Sequence, residues 1–146
     1  MKTLILYYSR SGNTKAFAEQ KTKETGADIE QILDMKKLSV FAGILKSQRR
    51  IKTEIQPVKS QLVNYDKIII MSPVWAGHPV PAINSLIECL PSGKQVEIVM
   101  VSSGGGTKKS AEGTKALVVK QGCELVGYTD VKVKLEGDEV IVQTLK

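Results

Sequence analysis

Three hydroxyls, a side-chain amide and a glycine crowd into six residues, Ser9-Arg10-Ser11-Gly12-Asn13-Thr14, and so dense a set of neutral donors suits a phosphate group. Ser9, Ser11 and Thr14 offer O–H groups, Asn13 an amide, and Gly12 lets the backbone approach an anion. The residues before them, Thr3-Leu4-Ile5-Leu6-Tyr7-Tyr8, read as a strand buried on both faces, and Lys15-Ala16-Phe17-Ala18-Glu19 begins a helical pattern. The loop therefore sits at a helix N-terminus, where unpaired N–H groups and a partial positive charge favour an anion. Arg10 reads two ways, as a partner of the phosphate or as a side chain directed to water. The spacings Gly-x4-Gly-Lys-Ser/Thr and Gly-x-Gly-x-x-Gly are both absent, so nucleoside triphosphates and dinucleotides are not the first choice. A plain helix cap would need one of these residues, not the whole set.

Two more loops carry candidate chemistry. Ser72-Pro73-Val74-Trp75-Ala76-Gly77-His78-Pro79-Val80-Pro81 holds the one Trp and the one His of the chain. A Trp on a loop stacks on a planar ring with about 1 kcal/mol beyond its buried area, or else fills the core. His78 is read first as an exposed loop residue and second as a cation beside a negative group. Ser102-Ser103-Gly104-Gly105-Gly106-Thr107 offers backbone N–H groups and close approach, or is a bare turn. With a single His and no evident carboxylate companion, nucleophilic triads are not suggested.

Strand and helix signals alternate along the chain, the pattern of an α/β domain with a parallel sheet between helices. After a first helix ended by Gly26, strands are expected at Asp28–Leu33, Asp66–Met71 and Val96–Val101. A helix over Ala82–Leu90 begins behind Pro79 and Pro81, and another runs to about Gly122. Between residues 34 and 64 the pattern is less clear. Phe41, Ile44, Leu45 and Ile51 are expected to form the apolar face of a helix whose other face carries Lys46, Arg49, Arg50 and Lys52. The three loops follow the carboxyl ends of three strands, which is where open α/β sheets bind ligands.

These motifs together resemble the flavodoxin family. The Ser9–Thr14 loop looks like the FMN phosphate loop of flavodoxins, and Pro73-Val74-Trp75-Ala76-Gly77 is similar to their flavin-facing loop. The Gly-Ile-Leu segment with its basic helix resembles short flavodoxin-family oxidoreductases. The resemblance covers residues 3 to about 122. It implies a flavodoxin-like doubly wound parallel sheet of order 2-1-3-4-5 with FMN as cofactor. Ser9, Arg10, Ser11, Gly12, Asn13 and Thr14 would lie at the phosphate. Pro73, Val74, Trp75, Ala76, Gly77 and His78 would lie beside the ring, with the Ala76-Gly77 peptide facing N5. Ser102, Ser103, Gly104, Gly105 and Gly106 would close the pyrimidine edge.

The chain also departs from that family. Shuttle flavodoxins are acidic, whereas 21 Lys and Arg stand here against 15 Asp and Glu, a net charge of +6. Such a surface favours acidic redox partners, ferredoxin-like proteins among them. Specific nucleic-acid binding is not expected, because the seven aromatic residues are not interleaved with basic segments. The third loop lacks the Tyr that commonly covers the outer flavin face, which favours a hydride donor or quinone there unless Tyr128 or a partner subunit covers the ring. Val131–Leu135 and Glu139–Gln143 alternate like strands around Glu136-Gly137-Asp138, so a β-hairpin is expected in place of the last helix, and a homodimer would cover the sheet it leaves bare.

At 146 residues the chain has the size of one domain, 1–146, able to bury about two-thirds of its unfolded surface. No apolar stretch approaches the roughly 20 residues of a membrane span and no signal cleavage pattern follows the first strand, so a cytoplasmic protein is expected. Cys89 and Cys123 are expected as reduced core thiols with no metal site. The functional expectation is a redox protein passing electrons through bound FMN. The alternatives are NAD(P)H-dependent reduction of flavin or quinone, and a flavin-free binding or regulatory module holding another anion.

Overall fold

The aliphatic runs become the centre of a sheet, because strands with branched side chains on both faces bury twice. The computed structural model describes residues 1–145. Strands β1 (Thr3–Tyr7), β2 (Asp28–Gln31), β3 (Lys67–Trp75), β5 (Gln95–Ser102), β6 (Glu124–Glu136) and β7 (Glu139–Thr144) lie in the order β2-β1-β3-β5-β6-β7, and the short β4 (His78–Pro79) folds back on β3. Pairing is parallel from β2 to β6 and antiparallel between β6 and β7. The five parallel strands thus have the flavodoxin order 2-1-3-4-5.

Alternation of side chains splits the core into two layers. On one face Leu4, Leu6, Ile68, Ile70, Ile98 and Met100 pack with helix α3 (Pro81–Glu88) and helix α4 (Ala111–Lys120). On the other, Ile5, Ile69, Met71, Val99, Val101 and Val131 pack with Ala18 of helix α1 (Asn13–Thr25). Gly26 takes the left-handed conformation at φ 73° and donates its N–H to Thr22 O at 2.8 Å, which ends α1 as a C-terminal glycine does. A final flavodoxin helix would lie on the α1 face. Here that face carries a partly buried ion pair, Lys67 Nζ to Glu97 Oε2 at 2.7 Å, in register with Gly127, so polar groups stand where no helix covers the sheet.

Three expectations are corrected. The segment Ser72–Pro81 is not a loop: β3 runs on through Trp75, and a two-residue turn at Ala76-Gly77 returns the chain as β4. Both turn residues have positive φ, 50° and 76°, the sign that a tight hairpin with right-handed strand twist requires. Helix α2 (Val40–Gln48) buries Gly43 and Ser47, while Phe41 and Leu45 stay exposed and Arg49 to Lys52 lie beyond its end. The expected hairpin is present, its first strand being the far half of β6, whose near half pairs with β5. Cys123 is buried as expected, but Cys89 at the end of α3 is exposed.

Candidate functional site

The carboxyl ends of β1, β3 and β5 bring the three predicted loops together at one sheet edge. In the first, Gly12 adopts φ 98° and lets the chain turn into α1, whose first residues Asn13 and Thr14 present N–H groups without intrahelical acceptors. Ser9 Oγ accepts from the N–H of Gly12 and of Lys15, each at 3.2 Å. Two backbone donors therefore converge on one oxygen. Asn13 is half-buried, Thr14 is buried, Ser11 is exposed, and the first turn of α1 contains no acidic residue.

Arg10 is exposed. It donates from Nη1 to Leu38 O at 2.9 Å, and its guanidinium lies 5.7 Å from the centre of the Trp75 ring. Trp75 also meets Tyr8 edge-on at 6.1 Å, which ties the first loop to the second. On its remaining side the indole is roofed by α2 at Gly43, where an added Cβ would overlap the ring. Only a glycine lets that helix come so close. Tyr8 donates its O–H to Asp34 Oδ2 at 2.6 Å, and burial together with that bond holds the phenol well above its ordinary pKa.

Beyond Trp75, His78 Nδ1 sits 3.0 Å from Ala76 O, so Nδ1 carries the proton and donates. Ser110, just before α4, donates to Gly77 O at 2.5 Å and joins the second loop to the third. The third loop starts at the buried Ser102, whose Oγ accepts from Gly104 N at 3.3 Å, and from Ser103 to Gly105 it is exposed. Below it Thr107, 1% exposed, is clamped to β6: its N–H and hydroxyl donate to Asp130 at 3.0 and 2.8 Å, and its Oγ1 lies 2.5 Å from Tyr128 OH. Tyr128 is thus an anchor beneath the loop and not a cover above it. Burial raises its pKa from the ordinary phenol value.

A model of the NADPH-dependent FMN reductase family matches residues 1–127. The chain belongs to that family. Among solved structures, the flavoprotein from Lactobacillus acidophilus NCFM in complex with FMN is 26% identical, with a TM-score of 0.74 over 88% of this chain and 92% of that one. The apo-form of the flavoprotein from the same organism is 27% identical, with a TM-score of 0.69 over 87% and 91%. Oxidised flavodoxin 1 from Bacillus cereus, 19% identical with a TM-score of 0.54 over 94% and 88%, shares the fold. No curated protein matches the chain.

For a member of the NADPH-dependent FMN reductase family the cofactor is FMN, and the residues present fit it. The first loop holds no carboxylate and has N–H groups already aimed at one oxygen, as a dianionic phosphate requires. Side chains added at Gly12, Gly104 or Gly105 would meet open space, so these glycines leave room at the cleft. The family match ends at residue 127, inside β6 and before the hairpin with β7. Four residues of this site escaped the sequence reading: Gly43, Thr107, Ser110 and Asp130. Asp130 left a trace, being an acidic residue in the middle of an apolar alternating strand, where such residues are depleted. Gly43 lay in the Gly-Ile-Leu segment and Thr107 in the third loop, but their roles and that of Ser110 were not readable, since their partners are distant in sequence.

Proposed function

We propose that this protein is an FMN-dependent oxidoreductase that draws electrons from NAD(P)H in the cytoplasm and passes them on through the flavin. The observation that carries the reading is the bareness of the third loop, where Ser102 to Gly106 offers no side chain larger than serine beside the cleft. A nicotinamide ring needs such an open approach. The family description, NADPH-dependent FMN reductase, supports the same donor. Bound FMN would supply the redox chemistry, taking hydride from the nicotinamide and returning the electrons to an acceptor.

The chain's own groups bind and orient. Ser9, Ser11, Asn13 and Thr14, with the N–H groups around Gly12, would hold the phosphate at the start of α1. The hairpin turn at Ala76-Gly77 is pinned at both carbonyls, by His78 Nδ1 and by Ser110 Oγ, and in this reading its backbone groups would meet the ring edge in a set direction. Trp75 stiffens that wall from behind, packed between Arg10, Tyr8 and Gly43.

FMN-loaded protein mixed with NADPH and a quinone is expected to oxidise the nucleotide in steady state. Saturable FMN binding without nucleotide oxidation would mean a carrier that needs a separate reductase. No FMN binding at tens of micromolar would leave the anion-binding module.

A further inference from the structure

The net charge of the chain sits in one place. Residues 35–53 contain six Lys and Arg and no Asp or Glu, and taking those six from the total of 21 leaves 15 against the 15 acidic residues of the whole chain. This segment is α2 with its flanks, so the excess lies on Lys46 of the helix that roofs Trp75 and on the stretches that enter and leave it. Lys36, Lys37, Lys46 and Lys52 border a recess of about 440 Å³ that Glu54 also lines, with Lys52 paired to Glu88 at 2.8 Å. The same stretch of chain exposes apolar side chains: Phe41 is 74% exposed, Met35 54% and Val40 51%. Phe41 at that exposure gains nothing from the fold. An apolar centre inside a charged rim is the composition of a protein-docking surface.

We propose that this face docks an acidic electron-transfer protein. The inference rests on the oxidoreductase reading, because it supplies that reaction with its partner. Position favours it: the inner side of α2 touches Trp75 at the edge of the cleft, so a partner on the outer side lies one helix diameter, about 10 Å, from that edge. Charge favours it too, since acidic groups steer to such a patch from a distance. A second copy would set like charges against each other, because a two-fold dimer brings the same patch to both sides. A lipid surface fits less well, as α2 is nine residues long and its Gly43 and Ser47 are committed to the core.

The test is calorimetric titration of the FMN-loaded protein with an acidic [4Fe–4S] ferredoxin at 20 and 300 mM NaCl. We compare the wild type, the exposed double variant Lys37→Glu/Arg49→Glu, Phe41→Ser, and a control reversal at the far ends of α1 and α4, Lys23→Glu/Lys120→Glu. Binding at low salt is expected to weaken at least tenfold in the double variant, severalfold in Phe41→Ser and at high salt, and to match the wild type in the control. Absence of wild-type binding at 20 mM NaCl overturns the proposal, as does equal weakening by the control. Tighter association with phosphatidylserine vesicles or duplex DNA than with the ferredoxin also overturns it. An FMN titration of each variant and a ferredoxin titration of the apoprotein separate the two readings: a ferredoxin complex without FMN binding refutes the flavin reading alone, and FMN binding without a complex refutes the dock alone.

Discussion

Ser9 does in the free protein what a phosphate would do in the loaded one, accepting from Gly12 and Lys15 N–H. Ser9→Ala is therefore expected to destabilise the apoprotein by about 1 kcal/mol, as loss of a helix cap does, and to cost less once FMN supplies oxygens to the same donors. Urea unfolding with and without saturating FMN checks this, and an equal loss in both would count against the shared nest. Tyr8 and Tyr128 both have raised pKa values, so the fold retains their protons more tightly than the unfolded chain does. That contribution is complete below pH 10 and is lost as pH climbs past the unfolded value, because the unfolded state then binds fewer protons. Stability is expected to fall from about pH 10 upward, and less steeply in Tyr8→Phe, as followed by urea midpoints across pH 9 to 11. The first loop was legible at this scale because its donors are neighbours in sequence. Thr107 and Asp130 were not, since their bond joins positions that nothing local relates.

At the scale of elements, α2 is the piece that sequence periodicity misread. Hydrophobic spacing favoured Phe41, Ile44, Leu45 and Ile51 as the inner face, yet Phe41 is exposed and the stripe turned inward is Gly43 and Ser47. The reason is the Trp75 ring, which requires a helix face without side chains. Gly43→Ala is expected to cost about 1 to 3 kcal/mol through overpacking, with a shift in Trp75 fluorescence. An unchanged emission spectrum would mean that the helix yields instead. The β3–β4 turn holds Ala76 at φ 50°, a conformation that disfavours any residue with a Cβ. Ala76→Gly should stabilise the protein by up to about 1 kcal/mol, after the greater entropy of glycine in the unfolded chain is deducted, and thermal unfolding measures it.

At the scale of the molecule, the β6–β7 extension replaces a covering helix with an open edge. Val131 and Val133 are buried against the α1 layer and Val140 packs beside them, so the hairpin seals part of the core. Its outer strand Glu139–Thr144 carries neither Lys nor Pro, and Ile141 and Val142 are each 38% exposed, which leaves an edge suited to pairing with a second copy. Light scattering at micromolar concentration is expected to report a dimer, and Ile141→Lys to return it to the monomer mass. A monomeric wild type would show that the edge stays unpaired. Such an edge-to-edge dimer keeps the basic face of α2 free.

The amino-acid sequence by itself determined the central strands and the phosphate loop, because apolar runs, turn residues and phosphate donors act on their immediate neighbours, while the strand order came from the resemblance those motifs carry. Only the tertiary structure decided which face of α2 turns inward, how Trp75 is walled in, what clamps the glycine loop, and that the last hairpin continues the fifth parallel strand. Each of these is a contact between residues far apart in the chain, and the spacing of residues along a sequence carries no record of which distant partner will meet them.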